Sequence, residues 1–523
     1  MTEEVLLTGD ALRPEQVMAV AERRAGVRLG PEVADRMAPA RAVVEEAVRE
    51  GRVVYGITTG FGALANTRID PALADQAQVA LLRSHASGVG PPLPDHLVRA
   101  MLLLRARTLA QGHSGVRVEI VARLLDLLRL DLLPVVPAQG SVGASGDLAP
   151  FAHLALPLIG EGFLRQEGRE RPAAEVLAEQ GLAPLTLHAK EGLSLLNGTE
   201  GMLALGVLGL EQAHRLADAA DLACALSVEA LLGSARPFDP RIHQLRPHPG
   251  QAAVAAALRG YLEGSGIGAS HCDDFSHAVQ DAYSLRCAPQ VHGAARDVLS
   301  FADGVLGVEL GAVVDNPVVF PETGEVISGG NFHGQPLAFA LDFATVAVTE
   351  LSSISERRTD RILDPVRSCG LPPFLATRPG LNSGYMVTQY VAAALVAENR
   401  VLCHPASIES IPTSGSQEDH VSMGWGAGRK LWDVVANAAR VVAVEVLCAC
   451  AGIECRRPLA PAAGTAAALA HVRGRVPPLG DDRPPAPDIE AVAGMIRDGS
   501  LVRAARSASG RGTLRAVQEE DQK

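Results

Sequence analysis

The sequence predicts a mainly α-helical protein: an elongated multi-helix bundle with a smaller mixed part at its N-terminal end, assembling through its long helices. Three observations lead there. Residues 199–232 hold no proline and are rich in Ala and Leu. Residues 336–363 add 28 more that would span about 42 Å as one helix, and 384–403 and 428–455 look similar. Helices of that length, apolar round much of their circumference, bury themselves only against one another, which points to a bundle and to helices shared between subunits of a homo-oligomer. At 523 residues the chain also exceeds what one hydrophobic core organises.

The elements follow in order. Pro14 opens a helix to about residue 24, and Pro31 another to about residue 50, where Gly51 stops it; Val43, Val44, Ala47 and Val48 form the inner stripe. Residues 53–55 read as a short β-like run entering the glycine-punctuated loop TTGFG. Helices follow at about 71–86, 95–111 and 116–133, the last stopped by Pro134. After the long helices, residues 476–488 (VPPLGDDRPPAPD) read as a loop and 507–523 as a disordered tail. The chain divides into an N-terminal part (1–198), a central long-helix bundle (199–460) and C-terminal helices with a tail (461–523), working as one unit rather than as independent domains.

Composition narrows the function. With 47% apolar and 20% charged residues the proportions are globular, and a net charge of −12 excludes a general attraction to nucleic acid or to an anionic membrane. Of the 47 basic residues only Lys190, Lys430 and Lys523 are lysine, and they are scattered. The start MTEEVLLTGD has no basic segment leading into an apolar one, and the uncharged run 379–397 carries Pro379, Asn382 and Gln389, a poor spanning helix. A soluble cytoplasmic protein is the expectation. Eight cysteines in so long a chain are no disulfide framework. Cys448, Cys450 and Cys455 lie in a helical apolar pattern and are expected to be buried reduced thiols. The fifteen histidines show no ligand spacing with an accompanying carboxylate, so no metal is expected.

The most unusual segment is GSVGASGDLAP, residues 140–150. Glycines at 140, 143 and 146 surround Ala144 and Ser145, giving the backbone conformations that side chains forbid. Asp147 reads as the N-cap of a helix with Pro150 in its first turn. Three readings stand side by side: a tight turn, a phosphate cradle, and reactive chemistry at Ser145. A Walker loop is excluded because no Lys-Ser/Thr follows, and the serine-hydrolase elbow is excluded because Gly146 directly follows Ser145.

Ala144-Ser145-Gly146 in this setting resembles the tripeptide from which the histidine and aromatic amino-acid ammonia-lyases make 4-methylideneimidazol-5-one. The resemblance implies that the Gly146 nitrogen closes a ring onto the Ala144 carbonyl carbon and that Ser145 loses water to become dehydroalanine-like. The product is an electrophile no ordinary side chain supplies, and no external cofactor is implied. The likeness runs in order from about residue 53 to 430. YGITTGFG (55–62) is similar to the loop of the family's catalytic tyrosine, which makes Tyr55 the base for the β-proton, provided the site depresses its pKa; by itself it is a strand-end aromatic. LLNGT (195–199) resembles the segment placing Asn197 beside the prosthetic group, though Asn-Gly is commonly a helix entry. VQDAYSLRCAPQ (279–290) resembles the segment supplying Gln280, Tyr283 and Arg286, with Arg286 as a forked carboxylate clamp. SGGNFH (328–333) resembles the segment that brings Phe332 near the electrophile.

Two positions speak to substrate. Ser84-His85 and QEDHVSM (417–423) resemble the forms found in the family members that act on histidine; His85 and Glu418 can both hydrogen-bond an imidazole, whereas a phenyl ring would leave them unpaired. Taken singly, they read as a helix-surface His and a salt-bridged Glu. Phe151, Thr58, Ala288 and Gly415-Ser416 depart from the family pattern, and of these Ala288 is expected to border the pocket. The resemblance implies a homotetramer whose sites draw on three subunits, catalysing deamination of L-histidine to urocanate, the first step of histidine degradation. A tyrosine or phenylalanine lyase or aminomutase with the same prosthetic group is the nearest alternative; a non-catalytic helical assembly protein is one of another class.

Overall fold

The computed structural model describes residues 3–271 and 279–509. The chain is mainly helical, with 59% helix against 8% strand, as the long apolar segments predict. It divides into two compact units. The first comprises Met1–Leu208, Asp303–Asp342 and Pro405–Arg429; the second comprises Gly209–Ala302, Phe343–His404 and Lys430–Lys523.

The first unit carries the strands. Glu3–Leu7 pairs in parallel with Ala25–Leu29 across the helix Pro14–Ala21, and neither strand is legible beforehand because each is only five residues and mixes charge with apolar side chains. The run at 53–55 is not a strand. Thr58 Oγ1 accepts from the Val54 amide at 2.9 Å, and the amides of Ile57 and Thr58 turn back to the Val54 carbonyl, so a closed turn captures the groups a partner strand would need. The helices Ala74–His85, Asp95–Ala110 and Val118–Arg129 lie where periodicity puts them.

Two buried ion pairs lie in this unit. Lys190 is fully buried; its Nζ donates to Asp315 Oδ2 and to Ser194 Oγ, both at 2.9 Å, and the ammonium holds the Asp315 carboxyl below its ordinary range against the opposing effect of burial. Arg105 donates to Glu200 Oε1 at 2.6 Å and to the Ser194 carbonyl. Breaking a buried pair from one side leaves an uncompensated charge. Lys190→Met is therefore expected to destabilise the protein by about 3–5 kcal/mol, read as a lowered denaturant midpoint, with the double variant Lys190→Met/Asp315→Leu recovering much of the loss.

The second unit is built from long helices. Glu200–Ala230, Gln335–Leu363 and Gly424–Cys455 contribute their C-terminal portions to it. Around Glu445, which is fully buried, Arg358 donates at 2.9 Å to Oε2, Ser227 at 2.6 Å to Oε1 and Ser355 at 2.6 Å to Oε2. Among the described residues, Glu191–Ala230, Gln335–Leu363 and Gly424–Cys455 are long and apolar enough to cross a membrane; 100%, 72% and 78% of their most apolar windows are buried inside the protein, so packing accounts for their hydropathy. Cys448 and Cys450 are buried as expected, but Cys455, at the helix end, is exposed. The loop at 476–488 is found, with the helix Ala486–Arg497 beginning inside its end. Of the expected tail, 507–509 finish the helix Ser500–Ala508 and its cap, and the rest lies outside the described residues.

Candidate active site

A cavity of about 980 Å³ in the first unit is lined by Tyr55, His85, Ser145, Asn197, Phe332 and Glu418, among others. Six of the residues singled out in the sequence thus meet on one surface, although they are spread over some 360 positions of the chain.

The glycine loop is pinned from both sides. Gly143 and Gly146 take φ of 68° and 74°, in the left-handed region, and a Cβ on Gly146 would collide with the Gly198 carbonyl oxygen. The Asp147 amide donates to that same carbonyl at 2.8 Å, and the Met423 amide donates to Val142 O at 2.9 Å. Asp147 begins the helix Leu148–Ala155, but its carboxylate does not cap it. It accepts instead from the Met202 amide at 2.7 Å and the Ser141 hydroxyl at 3.0 Å, serving the first turn of the next long helix. Complete burial pushes this carboxyl up to about 7. Ala144 is buried, and the Ser145 hydroxyl donates to Glu418 Oε1 at 3.3 Å.

Asn197 is held by one end of its amide. Its Nδ2 donates to the Asn316 carbonyl at 2.9 Å, while its Oδ1 is buried without a partner. Such an orphaned acceptor is costly unless something outside the protein's own groups satisfies it. Asn316, which the sequence reading missed, also accepts from the Gly329 amide at 2.7 Å through its side chain; it lies in none of the motifs singled out in the sequence.

The cavity's titratable groups differ in tendency. Tyr55 Oη accepts from the Gly62 amide at 3.3 Å. Burial nevertheless raises its pKa, the Gly62 donor opposes that, and the negative charge of Glu418 adds to it, so the expectation of a depressed phenol is not met. His85 lies with Nδ1 2.9 Å from the Leu81 carbonyl. The Ser84 hydroxyl lies 3.0 Å from the same nitrogen, so both of these contacts engage Nδ1 rather than Nε2. Burial lowers the His85 pKa, which keeps the ring neutral.

Gln280, Tyr283 and Arg286 are not among the lining of this cavity. Gln280 and Arg286 line a cavity of about 1270 Å³ in the second unit, Tyr283 is 70% exposed, and the Arg286 guanidinium stacks 4.4 Å over the Tyr283 ring while its Nε donates to Asp281 O. Ala288 is buried at the start of the helix Ala288–Glu309 and lines neither cavity. Phe151, the other departure close to the loop, is fully buried with the Arg105 guanidinium 6.0 Å from its ring.

The sequence model of the aromatic amino acid lyase family matches residues 12–474. Among curated relatives, histidine ammonia-lyase of Deinococcus radiodurans is 54% identical over 95% of this chain and 94% of its own length, and histidine ammonia-lyase of Gloeobacter violaceus is 51% identical over 98% and 99%. Among solved structures, histidine ammonia-lyase from Trypanosoma cruzi superposes with a TM-score of 0.89 at 43% identity, covering 97% of this chain and 95% of that one. Tyrosine aminomutase from Streptomyces globisporus superposes with a TM-score of 0.92 at 40% identity, covering 97% and 99%.

Proposed function

The chain belongs to the aromatic amino acid lyase family, and from that premise we propose that it removes ammonia from L-histidine to give trans-urocanate, as a cytoplasmic enzyme of histidine degradation. It is a carbon–nitrogen lyase. The observation that carries the choice of histidine is the pair His85 and Glu418 on one cavity wall system with Ser145. Glu418 offers an acceptor to the single N–H of a neutral imidazole, and His85 offers its second ring nitrogen, Nε2, to the imidazole's other nitrogen. A phenyl ring has no donor, and leaving a buried acceptor unpaired costs about 1–3 kcal/mol; a phenol has one. The identity of 43–54% to the three histidine ammonia-lyases, against 40% to the tyrosine aminomutase, supports the same choice.

The residues at 144–146 fit the family's prosthetic group. Ala144 and Gly146 bracket Ser145 with the smallest side chains, the loop is pinned by Gly198 and Met423, and the unpartnered Asn197 Oδ1 offers an acceptor to a group formed there. 4-Methylideneimidazol-5-one made from this tripeptide would supply an electrophile that makes the substrate's amino group a competent leaving group. Around it the chain's own residues divide the work. Tyr55 takes the β-proton at its phenol oxygen, where the Gly62 amide already donates to the oxygen that must carry negative charge. His85 and Glu418 orient the imidazole, and Phe332 walls the cavity beside them. Arg286 clamps the carboxylate, with Gln280 and Tyr283 beside it. As the family resemblance implies, the enzyme works as a homotetramer in which other copies complete each site.

Incubation with L-histidine, L-tyrosine and L-phenylalanine separately, following ultraviolet absorbance of the conjugated acid, tests the reading. Urocanate from histidine is expected, with kcat/KM at least about a hundredfold above either aromatic substrate. Cinnamate or coumarate formed in preference would assign the chain to the aromatic branch of the family.

A further inference from the structure

The segment that carries Glu418 is strained in a way the family chemistry does not explain. Ser414, Gly415 and Ser416 are three successive residues with φ of 49°, 60° and 67°, and two of them are not glycine, so the left-handed turn persists only because its surroundings impose it. The restraints are visible. The Thr413 amide donates to the Glu418 carbonyl at 2.9 Å and the Glu418 amide donates back to the Thr413 carbonyl at 3.3 Å, an isolated bridge across the turn. Ser414 Oγ accepts from the Ala63 amide at 3.1 Å, fastening the turn to the loop that begins at Tyr55.

What this bridge achieves is the placement of Thr413 against the Glu418 side chain. The Thr413 hydroxyl donates to Glu418 Oε2 at 2.8 Å, which leaves Oε1 as the oxygen that meets the Ser145 hydroxyl. A free glutamate samples many rotamers and presents either oxygen; this one is fixed by a charge-assisted bond from a residue five positions earlier, brought alongside by the strained turn.

We propose that Thr413 is the positioning residue for Glu418, locking one carboxylate oxygen so that the other is presented to the substrate's imidazole. This rests on the reading of Glu418 as an imidazole partner. Among the described residues, Tyr55, from the 55–62 loop, and His85, from the helix Ala74–His85, are titratable groups that feel the Glu418 charge; neither is within the turn, and neither hydrogen-bonds Thr413, so Thr413 is a lever on Glu418 that leaves their own hydrogen bonds in place.

The test is Thr413→Val beside Thr413→Ser. Thr413 has φ −130° and ψ 177°, an extended conformation that valine adopts readily, so the first variant removes the hydroxyl and keeps the shape. With Thr413→Val, KM for L-histidine is expected to rise about tenfold, the worth of one charge-assisted bond, with kcat changed less than about threefold, the melting temperature retained and the mature mass at 144–146 unaltered. Thr413→Ser should restore the wild-type KM. A wild-type KM in Thr413→Val, or equal losses in both variants, would overturn the proposal. Glu418→Gln separates the two levels: if it binds histidine as tightly as wild type, the reading of Glu418 fails, whereas weak binding there together with a normal Thr413→Val fails Thr413 alone.

Discussion

Ser145→Ala is expected to lower kcat by at least about a thousandfold while leaving the fold intact. The two halves of that expectation have separate causes. Alanine has no hydroxyl to lose as water, so residues 144–146 cannot yield a methylidene electrophile, and no other side chain in the protein can substitute for it. Stability is another matter. The side chain at 145 is half-buried, and conversion removes its hydroxyl from the wild-type chain in any case, so the change in unfolding free energy should stay within about 1 kcal/mol. Steady-state rates of urocanate formation and a thermal melt measured on the same preparation check both. A variant retaining a tenth of wild-type activity would remove Ser145 from the chemistry.

Tyr55→Phe carries the second largest effect. Removal of a positioned general base costs about a hundred- to ten-thousandfold in rate, and the loss should fall on kcat with KM for histidine within a few-fold of wild type, because the phenylalanine ring still walls the cavity. The direction of the Tyr55 shift adds a pH signature. The active form is the phenolate; burial and the Glu418 charge raise the pKa, and the Gly62 amide only partly opposes them. A raised pKa places the deprotonated form on the alkaline side, so wild-type kcat/KM should climb as pH rises from neutrality, and Tyr55→Phe should flatten that climb. A wild-type profile already at its plateau at pH 6 would show that some other group takes the proton.

The sequence was informative where the cause of structure is local. The long helices declare themselves through apolar periodicity over dozens of residues, and the loop at 140–146 through three glycines whose positive φ values only glycine tolerates cheaply. The candidate site was legible for a related reason: Tyr55, His85, Asn197, Phe332 and Glu418 each sit in a short motif of their own. What escaped depends on a partner far along the chain. Asp147 has the sequence of an N-cap, yet its carboxylate is taken by the Met202 amide, which no local pattern announces. The run at 53–55 has strand composition but loses its amide to Thr58. Lys190 and Asp315 are 125 positions apart, and each alone reads as a surface charge. Thr413 matters only through the turn that folds it onto Glu418. That Gln280 and Arg286 line a second cavity, rather than the one with Ser145, is likewise invisible in their motif.

The central claim is that residues 144–146 are chemically converted. Intact mass of the purified wild-type chain, followed by fragmentation of the peptide spanning Gly140 to Pro150, tests it without reference to any substrate. Ring closure and dehydration each expel one water, so the account predicts a mass about 36 Da below that calculated from the sequence, with the whole deficit in Ala144-Ser145-Gly146 and none in Ser145→Ala. An unshifted mass in a preparation that still converts histidine would contradict it.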